Sequence, residues 1–174
     1  AMENPGALEA VKIRDARAEV FEALRPIRNG DLRQQVVRGQ YRGYRGERNV
    51  SSDSGTETYF RIVAQIDTER WKGTPFILEA GKALRQKKTE ITVYFRGAAC
   101  FCPSGIHETH QNTLTFRIQP DEGISVVFWA KKPGFVMELE PQKLSFFYRD
   151  SQVLQQLPDA YERVLFDCIR GDQA

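Results

Sequence analysis

Three clusters in these 174 residues carry side chains suited to chemistry. Arg38, Arg42, Arg45 and Arg48 alternate with Tyr41, Tyr44 and the glycines Gly39, Gly43 and Gly46. Guanidinium neutralises phosphate and tyrosine stacks on bases, so this is the pattern of an RNA-contacting segment. No RNA-binding core motif accompanies it and the surrounding charge is balanced, which favours a strand running into a solvated turn. The second cluster is Cys100, Cys102, His107 and His110, two thiols and two imidazoles of the kind zinc accepts. A Cys-x-Cys pair followed by His-x-x-His closes around one ion only through a contorted loop, so no metal is expected. In the third, Phe76-Ile77-Leu78 leads into Gly81-Lys82-Ala83-Leu84, with Lys87 and Lys88 following. A strand passing through glycine to lysine sets an ammonium at the strand end, where its three donors reach sugar hydroxyls or a phosphate. The competing reading is a surface lysine with a solvated head.

Several familiar constellations are missing. The three glycines after Arg38 lack the Gly-x-Gly step and the strand-to-helix context of a dinucleotide fingerprint. No Walker loop, nucleophile elbow or His-Glu-x-x-His helix occurs. A complete active site therefore cannot be assembled from this chain by motif.

The elements that must carry these clusters are readable from periodicity. Leu8, Val11, Ile13, Val20, Phe21 and Leu24 recur at a spacing near 3.6 and predict a helix from about Ala7 to Leu24, capped by Asn4-Pro5 and stopped by Pro26, Asn29 and Gly30. Short β-branched and aromatic runs follow: Gln34 to Gln40, Thr58 to Ile66, Pro75 to Leu78, Ile91 to Phe95, Leu114 to Ile118, Ser125 to Trp129 and Lys143 to Tyr148. Ile91, Val93 and Phe95 alternate with Thr92, Tyr94 and Arg96, as in a sheet with one drier and one wetter face. After Pro158 a second helix runs to about Gly171. Helix, strands, helix predicts an α+β fold with a large, mostly antiparallel sheet and flanking helices.

Composition bounds the rest. The length suits one domain over residues 1 to 174, and no linker or repeat divides it. Twenty-five Lys plus Arg against 23 Asp plus Glu leave a net charge of +2, so no nucleic acid or acidic membrane is expected as partner, and any anion site must be local. There is no membrane-length apolar run and no signal peptide at the start, and three cysteines do not make a secreted disulfide framework. The expected compartment is the cytoplasm.

One longer string is more specific. Ile66-Asp67-x-x-Arg70-Trp71-x-Gly73-x-Pro75-Phe76-x-Leu78-x-x-Gly81-Lys82-x-Leu84 resembles the second domain of glucose-6-phosphate dehydrogenases. Further matching blocks are Ala1-Met2-Glu3-Asn4-Pro5, Lys12-x-Arg14-Asp15, Gly39-Gln40-Tyr41, Glu57-Thr58-Tyr59, Arg117-Ile118-Gln119-Pro120-Asp121-Glu122-Gly123, Lys132-Pro133-Gly134 and Leu157-Pro158-Asp159-Ala160-Tyr161-Glu162-Arg163. The resemblance implies oxidation of glucose 6-phosphate at its anomeric carbon, with hydride passed to NADP or NAD and 6-phosphogluconolactone formed, at the entry to the pentose phosphate pathway. It implies an N-terminal Rossmann domain and a C-terminal α+β domain built on a large antiparallel sheet.

It also implies that this chain is a fragment incomplete at both ends. The nucleotide fingerprint and the motif bearing the catalytic histidine belong to the N-terminal portion, so no catalytic, cofactor-binding or metal residue is expected here. Neither His107 nor His110 stands in that motif, and the chain alone should be inactive. The substrate contacts that carry over are Lys82 and Lys87, matching a basic pair that holds the sugar, and Gln119. Family members form dimers or tetramers through this domain, and some of Phe128, Trp129, Phe146, Phe147 and Tyr148 are expected at such an interface. A second, structural NADP is not expected, because two basic positions of its site read Glu79 and Thr92. The competing functions are a non-catalytic scaffold associating with a complete dehydrogenase and, third, an RNA-binding module using the Arg-Tyr segment.

Overall fold

In the computed structural model, residues 1–97, 110–150 and 160–171 are described. Helix α1 (Ala10–Glu22) sets Ala10, Ile13, Ala16 and Val20 along one stripe, all half-buried or buried, while Val11 and Phe21 stay exposed. It begins later than its apolar spacing suggests. Asn4 Oδ1 accepts the Gly6 N–H at 2.9 Å and Gly6 takes φ 77°, so this stretch is a turn ahead of the helix and not its cap. A one-turn helix α2 (Leu32–Gln35), with Gln34 and Gln35 N–H donating to the Asp31 carbonyl, replaces the first two residues of the strand predicted from Gln34.

Among the described residues seven strands follow: β1 (Val36–Gly39), β2 (Tyr59–Gln65), β3 (Pro75–Gly81), β4 (Thr89–Tyr94), β5 (Thr113–Gln119), β6 (Gly123–Lys131) and β7 (Leu139–Phe147). All pairings are antiparallel, and together with the helices they make the α+β fold. The antiparallel strands of this fold are ordered β1-β2-β3 in one sheet and β4-β5-β6-β7 in the other. Ladder geometry ends after Gly81, where Ala83 adopts φ 54° and Lys82, Arg85, Lys87 and Lys88 crowd the connection with charge. Helix α3 (Ala160–Arg170) stops at Gly171, whose φ of 69° suits a helix C-terminus.

The chain divides into two compact units, Ala1–Arg85 with Ala160–Ala174, and Gln86–Asp159. In the first, the end of α1 joins the end of β2. Leu24 bridges Ile66, Arg25 N–H donates to the Gln65 carbonyl at 2.9 Å and Asp67 N–H to that of Ala23 at 2.8 Å. Ile66, 4% exposed, and Ala16, 8%, are the buried apolar side chains among the described residues.

The second unit is a four-stranded meander whose register sorts residue types by face. Ile91, Phe116, Ile124 and Phe146 stand opposite one another across all four strands, and Val93, Leu114, Val126 and Leu144 form the next row of that face. On the reverse face the row is Thr92, Thr115, Ser125 and Ser145. This is the alternation read in β4, carried through the sheet. The apolar rows remain open among the described residues, with Ile91 56% and Leu144 64% exposed.

Candidate functional site

The hairpin of β2 and β3 builds the end on which Lys82 sits. Its connection is wound by Trp71 and Lys72 N–H donating to the Thr68 carbonyl, and by Thr74 N–H donating to that of Trp71 across Gly73 (φ 76°). Trp71 packs edge to face on Phe76 at 5.3 Å and donates its indole N–H to the Ala1 carbonyl at 2.7 Å, while Arg70 pairs with Glu3 at 2.8 Å. At the far end Gly81 faces Tyr59, and a Cβ there would lie 2.9 Å from the tyrosine Cδ2 and 3.3 Å from Leu84 Cδ1. A side chain at position 81 would therefore displace the Tyr59 ring or Leu84, so glycine suits this close approach. Lys82 N–H then donates to the Thr58 carbonyl at 2.8 Å, fixing the lysine backbone to the sheet, while its side chain is exposed with no partner among the described residues.

Gln119 and the start of β4, which Lys87 precedes, lie at one end of the second sheet. The β4–β5 ladder slips by one residue between Thr89 and Glu90, so Gln119 stands opposite Thr89, two residues from Lys87. A bulge of this kind re-aims the side chains beside it. The turn that carries Gln119 is pinned to the end of β7: Arg149 pairs with Asp121 at 2.7 Å and Tyr148 N–H donates to the Glu122 carbonyl at 3.0 Å. Gly123 is buried there, where a Cβ would come within 2.4 Å of the Phe146 carbonyl and 2.8 Å of Phe147 Cδ1. Arg117 and Arg149 both lie over the Phe147 ring, at 5.9 and 5.4 Å from its centroid. Lys87 and Gln119 are exposed.

Sequence reasoning missed the clasp between Arg25 and Asp67. Arg25 donates from Nε and Nη2 to the two Asp67 oxygens at 3.1 and 2.6 Å, and from Nη1 to Gln65 Oε1 at 2.6 Å. The hydrogen bond from Arg25 holds the Asp67 carboxyl below its ordinary range, and the same partner raises the guanidinium. The pair lines an open cleft of about 560 Å³ with Pro26, Arg28, Asp31 and Gln35. Because both charges of the clasp are spent on each other, the cleft has mixed polarity. No spacing rule points to partners 42 residues apart. Of the second cluster, Cys100, Cys102 and His107 lie outside the described residues, while His110 stacks on Trp129 at 4.2 Å.

A family model described as glucose-6-phosphate dehydrogenase, C-terminal domain, matches residues 1–174. The chain belongs to the glucose-6-phosphate dehydrogenase family. It is 37% identical over 176 residues to glucose-6-phosphate 1-dehydrogenase 5, cytoplasmic, of Arabidopsis thaliana, covering 99% of this chain and 33% of that protein. It is 38% identical over 188 residues to the glucose-6-phosphate 1-dehydrogenase of Chlamydia muridarum, covering 99% and 36%. A solved glucose-6-phosphate dehydrogenase in complex with its substrate glucose-6-phosphate superposes with a TM-score of 0.82 at 33% identity, covering 99% of this chain and 36% of that one. The glucose-6-phosphate 1-dehydrogenase from Mycobacterium avium gives 0.81 at 32% identity, covering 99% and 36%. The chain thus spans about one third of the length of these dehydrogenases.

Proposed function

We propose that residues 1–174 act as one domain, the substrate-binding and oligomerisation domain of a glucose-6-phosphate 1-dehydrogenase, which oxidises glucose 6-phosphate to 6-phosphogluconolactone with reduction of NADP. The observation that carries this reading is the end-to-end match to the family, extending to a neighbour whose own description includes the bound substrate. Lys82, Lys87 and Gln119 support it by their availability. All three are exposed and have no side-chain partner among the described residues. An ammonium on a backbone fixed to the sheet attracts a phosphate dianion, and a carboxamide both donates to and accepts from sugar hydroxyls. These are binding roles. The proton acceptor and the nicotinamide site belong to the remainder of the full-length enzyme.

The residues of this chain do not suit a nucleotide phosphate of their own at the two positions singled out above. Glu79 accepts the Tyr59 hydroxyl at 3.2 Å, and Thr92 shares a hydrogen bond with Thr115 at 3.2 Å. One offers a carboxylate and the other an engaged hydroxyl where a phosphate needs cations. NADP is therefore assigned to the rest of the enzyme. The open apolar rows of the second sheet support a role in assembly into a dimer or tetramer. The names of relatives such as the cytoplasmic isoform of Solanum tuberosum support a cytoplasmic enzyme.

Steady-state kinetics of the full-length polypeptide test the reading. Lys82→Ala and Lys87→Ala are each expected to raise KM for glucose 6-phosphate about tenfold or more, with a smaller change in kcat. An unchanged KM in both variants overturns the assignment of these lysines. Absence of glucose 6-phosphate oxidation in the unmodified enzyme overturns the function and favours the scaffold reading.

A further inference from the structure

The segment after β1 repeats itself as Tyr41-Arg42-Gly43, Tyr44-Arg45-Gly46 and Glu47-Arg48-Asn49. Its backbone repeats as well. Tyr44 N–H donates to the Tyr41 carbonyl at 3.2 Å, Glu47 N–H to that of Tyr44 at 3.1 Å and Val50 N–H to that of Glu47 at 3.1 Å, so three turns follow head to tail. Each arginine is the second residue of its turn and each third residue is Gly or Asn. Gly43 (φ 91°) and Asn49 (φ 67°) supply left-handed backbone that an ordinary side chain disfavours.

The consequence is three exposed guanidinium groups at the corners of successive turns. None of the nearby carboxylates pairs with these three arginines: Glu57 pairs with Arg38 at 2.5 Å, Glu47 accepts from the Tyr41 hydroxyl at 3.4 Å and Asp53 from the Ser51 hydroxyl. Among the described residues Arg42 and Arg48 have no ion-pair or hydrogen-bond partner, and Arg45 donates only through Nε, to Gln40 Oε1 at 3.2 Å. The loop is also held in place. Gln40 Nε2 donates to the carbonyls of Ser54 at 2.8 Å and Thr56 at 2.9 Å, and Tyr41 N–H donates to Thr58 Oγ1 at 2.9 Å.

We propose that this triple turn is a docking surface for an acidic segment of a protein, whose carboxylates are taken by Arg42, Arg45 and Arg48. Guanidinium suits carboxylate through its planar fork, and a loop already held by Gln40 loses little freedom on binding. The tyrosines decide against a nucleic acid. Tyr41 and Tyr44 are half-buried and pack edge to face at 5.5 Å, an arrangement that sets their rings at 67° to each other and offers no parallel platform for successive stacked bases. The chain's net charge of +2 provides no extended positive field to follow a phosphate backbone.

The test is fluorescence anisotropy of a labelled octaglutamate peptide titrated with the full-length polypeptide at low salt, with a labelled oligouridylate as second probe. The peptide is expected to bind, with affinity falling steeply as salt is raised. Arg42→Gln with Arg48→Gln is expected to weaken it about tenfold or more with an unchanged circular dichroism spectrum, and the corresponding double lysine variant to fall between. Gln40→Ala, which keeps every charge, is expected to weaken binding as well. No binding of the peptide, equal binding by the double glutamine variant, or tighter binding of the RNA than of the peptide overturns the proposal.

Discussion

Side chains lock the three-stranded sheet to its flanking segments, whereas the four-stranded sheet rests on long ladders and sorted rows of residues. In the first unit, Arg25 clasps Asp67, Arg38 pairs with Glu57 and Gln40 holds the carbonyls of Ser54 and Thr56, so polar groups far apart in sequence set the loops. In the second, the rows Ile91 to Phe146 and Thr92 to Ser145 set the register, and close packing concentrates at Gly123. One region is specified by particular contacts between named partners. The other is specified by a pattern, which survives many single changes but is closely packed where Gly123 meets the Phe146 carbonyl.

The two tryptophans allow this contrast to be broken region by region, since Trp71 lies in the first unit and Trp129 in the second. The largest effect is expected from Gly123→Val. Its Cβ would sit 2.4 Å from the Phe146 carbonyl, an overlap that backbone shifts relieve at about 3 kcal/mol, read as a drop in the urea midpoint reported by Trp129 in the Trp71→Phe background. If that midpoint holds, the sheet does not depend on this contact. Next is Ile66→Ala, which empties the most buried apolar position of the first unit and is expected to destabilise it by about 2 kcal/mol as reported by Trp71.

The smallest and most diagnostic effect is on pH dependence. The Asp67 carboxyl is depressed in the folded chain, chiefly by its hydrogen bond from Arg25, so the unfolded chain takes up the proton more readily. The resulting stabilisation is fully present above the unfolded carboxylate value of about 3.9 and is lost as pH falls through the lower folded value. Asp67→Asn is expected to flatten the fall of the Trp71 midpoint below about pH 4 and to leave the Trp129 midpoint unaffected. An identical acid profile in both proteins would remove the clasp from any account of what holds the first unit.

Much of the secondary structure was legible because alternation is local. The centres of β2, β4 and β5 fall where β-branched and aromatic residues alternate, and α3 ends at Gly171 as its glycine signals. The misses have tertiary causes. Strand β3 extends past Leu78 to Gly81 because Glu79, Ala80 and Gly81 pair with Arg61, Phe60 and Tyr59, although none of the three favours a strand. Strand β7 begins at Leu139 and carries Pro141, tolerated because β7 is an edge. Gln34 and Gln35 were drawn into a helical turn by the Asp31 carbonyl. For the site, the Gly-Lys step announced a strand end and Lys82 stands there. The partnership of Arg25 with Asp67, and the pinning of the Gln119 turn by Arg149, join residues that no periodicity relates.

Lys82 illustrates what such a strand end supplies. Its main chain is anchored by the bond to Thr58, and the chain then swings away through the positive φ of Ala83, so four methylenes and an ammonium extend from a stationary hinge. A guest that captures that charge must immobilise one flexible arm, at an entropic penalty of up to about 2 kcal/mol, and need not order a loop as well. The lysine can therefore sample a range of approach directions before capture and still deliver its charge to a fixed spot.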